Sequence, residues 1–155
     1  MKDRSEQLDK MEKALNRMIR EEMKKIYSPQ VINRFFHHWN MGVLENSDGF
    51  ARYTGPCGDT MEIFLKIKAG RINLALFQTA GCFATVACGS MVCELARGKK
   101  ISIARQINQN KILKALGGLP EENQHCALLA ATALQKALSD YFAKRQEPWK
   151  KAYQV

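Results

Sequence analysis

Three short segments of this chain place a thiol beside a second kind of metal ligand: Pro56-Cys57-Gly58-Asp59, Gly81-Cys82 and His125-Cys126. Thiolate, carboxylate and imidazole together form a donor set that suits zinc or an iron–sulfur cluster. The thiolate is the form that binds metal or attacks sulfur. A cysteine at a helix N-terminus ionises below its free value of about 8.5, because unpaired N–H groups and the helix dipole favour negative charge. Spacing alone does not bring the three segments together. Between Cys57 and Cys82 lie 24 residues, between Cys82 and Cys126 lie 43, and there is no C-x-x-C pair. Buried structural cysteine is an equally open reading of the residue types. A zinc deaminase is excluded, since Cys57 has no second Cys three residues on and the chain has no H-x-E. A cysteine hydrolase with a Cys–His pair stays open on chemistry, although adjacent side chains on a helix do not face each other.

The elements that must position these residues can be read from hydrophobic period. Leu8, Met11, Leu15, Met18 and Ile19 recur at helical spacing, which predicts an amphipathic helix over 5–26; Glu22 and Lys25 then break the seam and exclude a long coiled coil. That stripe either packs on its own domain or associates with another chain, a second copy included. Ser28-Pro29 starts the next helix as N-cap and first helical residue, and Asn40-Met41-Gly42 ends it. Met61, Ile63, Leu65 and Ile67 alternate with polar or outward residues. Ala69-Gly70 turns the chain, and Ile72, Leu74 and Leu76 continue the same period to Thr79, which predicts an antiparallel hairpin. A third strand is expected around Phe50–Thr54. The period becomes helical from Cys82 to Arg97, with Gly98 as a stop. Short helices around Ser102–Ile107 and Lys111–Leu116 precede a last helix from near His125. Cys57 and Asp59 then lie in a loop before a strand, Cys82 where the hairpin passes into a helix, and His125-Cys126 at the opening of the last helix. The expected fold is α+β: a small three-stranded antiparallel sheet with helices packed on one face, plus an N-terminal amphipathic helix.

The chain is 155 residues long, 46% apolar and 25% charged, the composition of one ordinary globular domain. No apolar run nears the roughly 18 residues that span a bilayer, and the first ten residues carry no apolar signal core. With five cysteines, an odd number, this points to a reducing cytoplasm and free thiols. Net charge is +9, and residues 94–114 concentrate it. Arg97, Lys99, Lys100, Arg105, Lys111 and Lys114 are offset there by Glu94 alone. Without interleaved aromatics or a recognisable module, a nucleic-acid partner is not expected. The stretch is either a solvated face or a docking patch for an acidic protein. Cys93 lies about 16 Å along the helix from Cys82 and Cys88 points away, so both read as core thiols. His37 and His38 read as surface or packing residues.

The ordered strings YSPQVINRFFHHWNMGVLEN, GPCGD, FQTAGC and LGGLPEENQHCALLA resemble the IscU/NifU N-terminal family of iron–sulfur cluster assembly scaffolds, over roughly Tyr27 to Arg145. The resemblance divides the chain into a helical extension (1–26), a scaffold domain (27–145) and a tail (146–155). It implies an α+β fold with a three-stranded sheet, in agreement with the period. By the same resemblance Cys57, Cys82 and Cys126 are the cluster cysteines, Asp59 a labile ligand and His125 an alternate one. Members take sulfur from a cysteine desulfurase, build a [2Fe–2S] cluster and pass it to acceptor apo-proteins. Many also bind zinc at the same site. They are scaffolds rather than turnover enzymes, with transient persulfide chemistry. Cys126, at an expected helix start beside an imidazole, is the candidate first persulfide acceptor. Two departures stand out: Phe83 occupies the glycine position of the usual GCGSA, and Leu119-Pro120-Glu121-Glu122-Asn123 replaces the LPPVK motif, so an Hsp70-type chaperone is not expected to dock there. The large insertion of zinc-dependent SufU-type sulfur acceptors is absent and His125 is present, which favours a scaffold. A zinc-bound sulfur acceptor is the alternative, and a partner-binding module with a degenerate site is a third reading.

Overall fold

The computed structural model describes residues 2–146; Met1 and 147–155, nearly all of the expected tail, lie outside the described residues. The chain runs α1 (Lys2–Met23), α2 (Pro29–His37), β1 (Gly49–Thr54), β2 (Thr60–Lys68), β3 (Arg71–Thr79), α3 (Phe83–Ala96), α4 (Ile101–Ala104), α5 (Gln109–Leu116), a 3-10 turn (Glu121–Asn123) and α6 (Gln124–Gln146). The strands form one antiparallel sheet in the order β1-β2-β3, as the alternation predicts. Ala69 and Gly70 both have positive φ (53° and 73°), the backbone that a two-residue hairpin turn demands. Helices α3 and α6 cover one face of the sheet, α3 on β3 and α6 on β1 and β2.

One strand departs from its expected phase. Register passes from Lys66↔Leu74 to Ile67↔Ile72, leaving Asn73 as an extra residue in a bulge. Each strand residue faces opposite to its neighbour, so one inserted residue flips the pattern beyond it. The buried residues of β3 are therefore Ile72, Ala75 and Phe77, and Leu74 and Leu76 lie on the other face, half-buried. Residues 40–42 run along the free edge of β3 as a short parallel bridge at Met41, bonding to Phe77 through Gly42 N–H (2.9 Å) and the Asn40 carbonyl (2.9 Å).

Local signals set the helix ends. Ser28 caps α2 by accepting the Val31 N–H, with Pro29 in the first turn, and its hydroxyl also donates to the Leu116 carbonyl at the end of α5. Gly117 ends α5 in the left-handed region. Buried Arg34 ties α2 to α3, donating to Ser90 (3.2 Å) and pairing with Glu94. The stripe of α1 packs on nothing described: Leu8, Met11, Leu15 and Met18 are each more than half exposed. This corrects a reading in which the stripe packs on its own domain. The opposite, polar side of the helix meets the domain instead, with the Arg20 guanidinium 4.2 Å from the centre of the Phe36 ring.

Close packing of α3 on the sheet rests on Gly89. A Cβ there would come within 2.7 Å of Phe77 Cε2 and 2.9 Å of Cγ. Gly to Ala in an unobstructed helix interior gains roughly 1 kcal/mol. Here the sign reverses: Gly89→Ala is expected to destabilise by about 1–3 kcal/mol in urea unfolding, as overpacking of a full core does.

Candidate metal centre

Three elements end or begin at one edge of the sheet and carry the site. The Gly55–Asp59 loop leads into β2, Cys82 is the N-cap residue of α3, and Cys126 lies in the first turn of α6. The loop is tight, closed by Gly55 N–H to the Asp59 carbonyl (2.9 Å) and Gly58 N–H to the Gly55 carbonyl (3.0 Å), with Gly58 at φ 90°. Across these elements Cys82 Sγ stands 3.9 Å from Cys126 Sγ. An oxygen of Asp59 joins them, and all three ligand atoms lie within 4.8 Å of one another.

The other expected ligands stand at the rim. Cys57 is exposed and outside this group of three. His125 is exposed as well, yet its Nε2 comes to 3.7 Å from Cys126 Sγ, so these neighbours on one helix do approach each other. Cys88 and Cys93 are buried in the core, with both thiols pushed up by burial. His37 stacks on Trp39 and His38 forms the C-cap of α2, both on α2 and its exit rather than at the site.

This architecture and its motifs match the family model for the NifU-like N terminal domain over residues 26–148. The chain belongs to that family. It is 44% identical over 120 residues to the iron-sulfur cluster assembly scaffold protein IscU 1 of Archaeoglobus fulgidus, covering 77% of this chain and 78% of the relative. To the scaffold protein IscU of Escherichia coli K12 it is 35% identical, covering 77% and 97%. The crystal structure of a NifU-like protein (N-terminal) from Brucella abortus shares the fold at a TM-score of 0.60 and 19% identity, over 79% of this chain and 98% of that one.

In this NifU-like domain the residue types of the motif do not reveal how the thiols are poised. Cys126 is fully buried and its thiol is pushed up to about 12, by burial first, with Cys82 and Asp59 adding to the rise and a hydrogen bond from Thr85 opposing it. The helix-start argument for a lowered Cys126 thiol is therefore corrected: burial moves it the other way. The 3-10 turn runs straight into α6, and Gln124 N–H is already given to the Glu121 carbonyl, so Cys126 sits inside continuous helical backbone rather than at an open end. Cys82, by contrast, is exposed and stands at the N-cap of α3.

Thr85 is the residue that sequence reasoning missed. It is fully buried, and its Oγ1 donates to Asp59 Oδ2 (2.8 Å) and stands 3.4 Å from Cys126 Sγ and 3.3 Å from Cys82 Sγ. A hydroxyl has one proton to give, so its carboxylate and thiolate acceptors compete for it. A lone threonine three residues after Cys82, in the first turn of a helix whose first half is otherwise apolar, is the signal in hindsight. Phe83 turns its ring onto Phe35 (4.0 Å between centroids) and Tyr27 (5.0 Å), forming an aromatic wall beside the thiols. The Tyr27 hydroxyl is pushed up by burial and by the charges of Cys82, Glu122 and Cys126.

Two outcomes follow from these protons. The folded chain keeps the Cys126 proton until about pH 12, whereas an unfolded chain releases it near 8.5, so folding takes up protons in between. Stability of the metal-free protein is expected to fall as pH climbs from about 8.5 toward 12. Urea unfolding across that range checks it, and Cys126→Ala should make the decline shallower, the buried Cys88 and Cys93 thiols keeping their own share. Thr85→Val removes the donor at nearly constant volume. It should weaken zinc binding at pH 7 by roughly ten-fold, the equivalent of one lost hydrogen bond to a charged group, while Thr85→Ser stays near the parent in a chelator competition.

Proposed function

We propose that this chain is a scaffold on which an iron–sulfur cluster, of the [2Fe–2S] type, is assembled and then handed to acceptor proteins. The observation that carries the reading is the meeting of Cys82, Cys126 and Asp59 within 4.8 Å at the ends of three separate elements. Family membership and relatives named as iron-sulfur cluster assembly scaffold proteins support it. The cluster is cargo, so its holder must grip and release. Thiolates of Cys82 and Cys126 are soft donors that match iron and sulfide, and the harder carboxylate of Asp59 binds less firmly. Cys57, on the exposed Gly55–Asp59 loop, completes a three-thiol, one-carboxylate set by closing over the cargo, with His125 at the rim as the alternate ligand.

Sulfur arrives from a cysteine desulfurase as a persulfide. A thiolate of the scaffold attacks the outer sulfur of that persulfide, forming a new S–S bond and releasing the desulfurase cysteine as thiolate. Cys57 and Cys82 are exposed, so an incoming persulfide reaches them before buried Cys126. Binding of iron at the pair then displaces the Cys126 proton, which couples loading to deprotonation.

Anaerobic reconstitution with Fe²⁺, cysteine and a desulfurase is expected to give a visible-absorbing [2Fe–2S] chromophore that Cys82→Ala and Cys126→Ala abolish. Zinc retained without a chromophore would assign the chain to sulfur relay instead, and no metal bound at all would leave a partner-binding module. Asp59→Ala should keep the fold, lengthen the lifetime of the bound cluster and slow its transfer to an apo-ferredoxin several-fold. Equal transfer rates would remove Asp59 from the release step.

A further inference from the structure

The far end of the sheet carries a second constellation. Strand β2 leaves the thiols at Thr60 and reaches the hairpin turn after Lys68, a run of about 30 Å at roughly 3.3 Å per residue. There the turn Ala69-Gly70 and the segment 98–105 enclose a concavity of about 470 Å³, lined by Arg71, Lys100, Ser102, Arg105 and Phe142 among others. Three cations thus share one small hollow. Among the described residues, no ion pair joins any of the three to a carboxylate.

The backbone that carries the cations is locked, and two of the three side chains are oriented. Backbone bonds from Ile72 N–H to the Lys99 carbonyl (2.9 Å), Gly98 N–H to the Ile72 carbonyl (2.7 Å) and Ile101 N–H to the Gly70 carbonyl (3.1 Å) lock the hairpin to the 98–101 segment. Arg71 and Lys100 are paired as an isolated antiparallel bridge. The Arg71 Nη1 donates to the Gly98 carbonyl (3.3 Å), which orients the guanidinium and leaves its other N–H groups free for a ligand. The Arg105 guanidinium lies 4.7 Å from the centre of the Phe142 ring, which fixes it on the wall. Like charges repel, so a fold that orients two guanidiniums and anchors the Lys100 backbone around one hollow gathers charge suited to an anion.

We propose that this hollow is a binding site for a compact phosphorylated small molecule carrying two or more adjacent phosphate charges. Two guanidinium forks match phosphate oxygens bidentately, Lys100 adds a point charge, and the Ser102 hydroxyl supplies a further donor. The volume lies within the range of small-ligand sites. Shape separates this ligand from an acidic protein. A protein would read the whole basic strip, including Arg97, Lys99, Lys111 and Lys114, which do not line the hollow. The site is independent of the thiols and of the cluster reading.

Inorganic pyrophosphate is the probe, titrated by calorimetry into the full metal-free chain at about 150 mM salt, where surface charges are screened beyond about 8 Å. Saturable binding of one pyrophosphate per chain is expected, with sulfate at least ten-fold weaker. Arg71→Gln and Arg105→Gln should each weaken binding ten-fold or more, and Lys100→Gln should do so independently should either arginine variant fold poorly. Lys111→Gln, an equal loss of charge outside the hollow, should stay within two-fold of the parent, and Cys82→Ser should have no effect. Absence of saturable binding would overturn the proposal. So would an equal loss from Lys111→Gln, which would assign these cations to a diffuse surface for an acidic protein.

Discussion

How closely α6 can lie on strands β1 and β2 decides whether the thiols and the carboxylate of this protein meet at one end of the sheet. The helix carries small, fully buried residues, Ala127, Ala130, Ala133 and Ala137, along with fully buried Leu134 and Leu138. Opposite Ala137 stands Gly49, where a Cβ would come within 2.5 Å of the Ala137 carbonyl oxygen. The Asp140 carboxylate accepts the Phe50 N–H (2.9 Å) and pairs with buried Lys144 (2.9 Å), which fixes the helix along its length as well as its distance. Each large side chain so buried contributes roughly 1.5–3 kcal/mol. With α3 seated the same way over Phe77, both helices begin at one end of the sheet. Cys82 and Cys126 are brought to 3.9 Å by that seating and by nothing local.

The price of that seating is electrostatic. Two thiols and a carboxylate share a small, partly buried space, and full ionisation of all three without a cation would be costly. The protein resolves this by keeping the Cys126 proton and by turning the Thr85 hydroxyl toward Asp59. A cation arriving at the pair replaces a proton, so metal loading and acid–base chemistry are one equilibrium. Cys57 and His125 lie exposed at the rim of this group.

Charge is divided along the sheet in the same spirit. Thiols and carboxylate gather where β2 begins, and the cations of the hairpin and the 98–105 segment gather where it ends. The sheet is the rigid spacer between them, and the exposed apolar stripe of α1 projects from the α2 side.

Much of the framework was legible because its causes are local. Ser28-Pro29, Ala69-Gly70, Gly98 and Gly117 act within a few residues through φ preference and capping, and the alternation of β2 marks Met61, Ile63 and Leu65 as core, although Phe64 on the other phase is buried too. The ordered CGD, GC and HC segments named the family and the ligand types. Other features required the tertiary structure. The bulge at Asn73 depends on a register with β2, so the phase of Leu74 and Leu76 was invisible in β3 alone. The exposure of the α1 stripe depends on which side of the helix meets α2. The proton on Cys126 is set by burial under neighbouring elements, which outweighs the helix-terminus effect that spacing suggests. Thr85 among the ligands, and Arg71 beside Lys100 and Arg105, are meetings of residues distant in sequence. The amino-acid sequence by itself determined which chemical groups this protein carries and which elements hold them; the packing of those elements decided which groups meet and in what protonation state, because distance and desolvation are properties of the assembled fold.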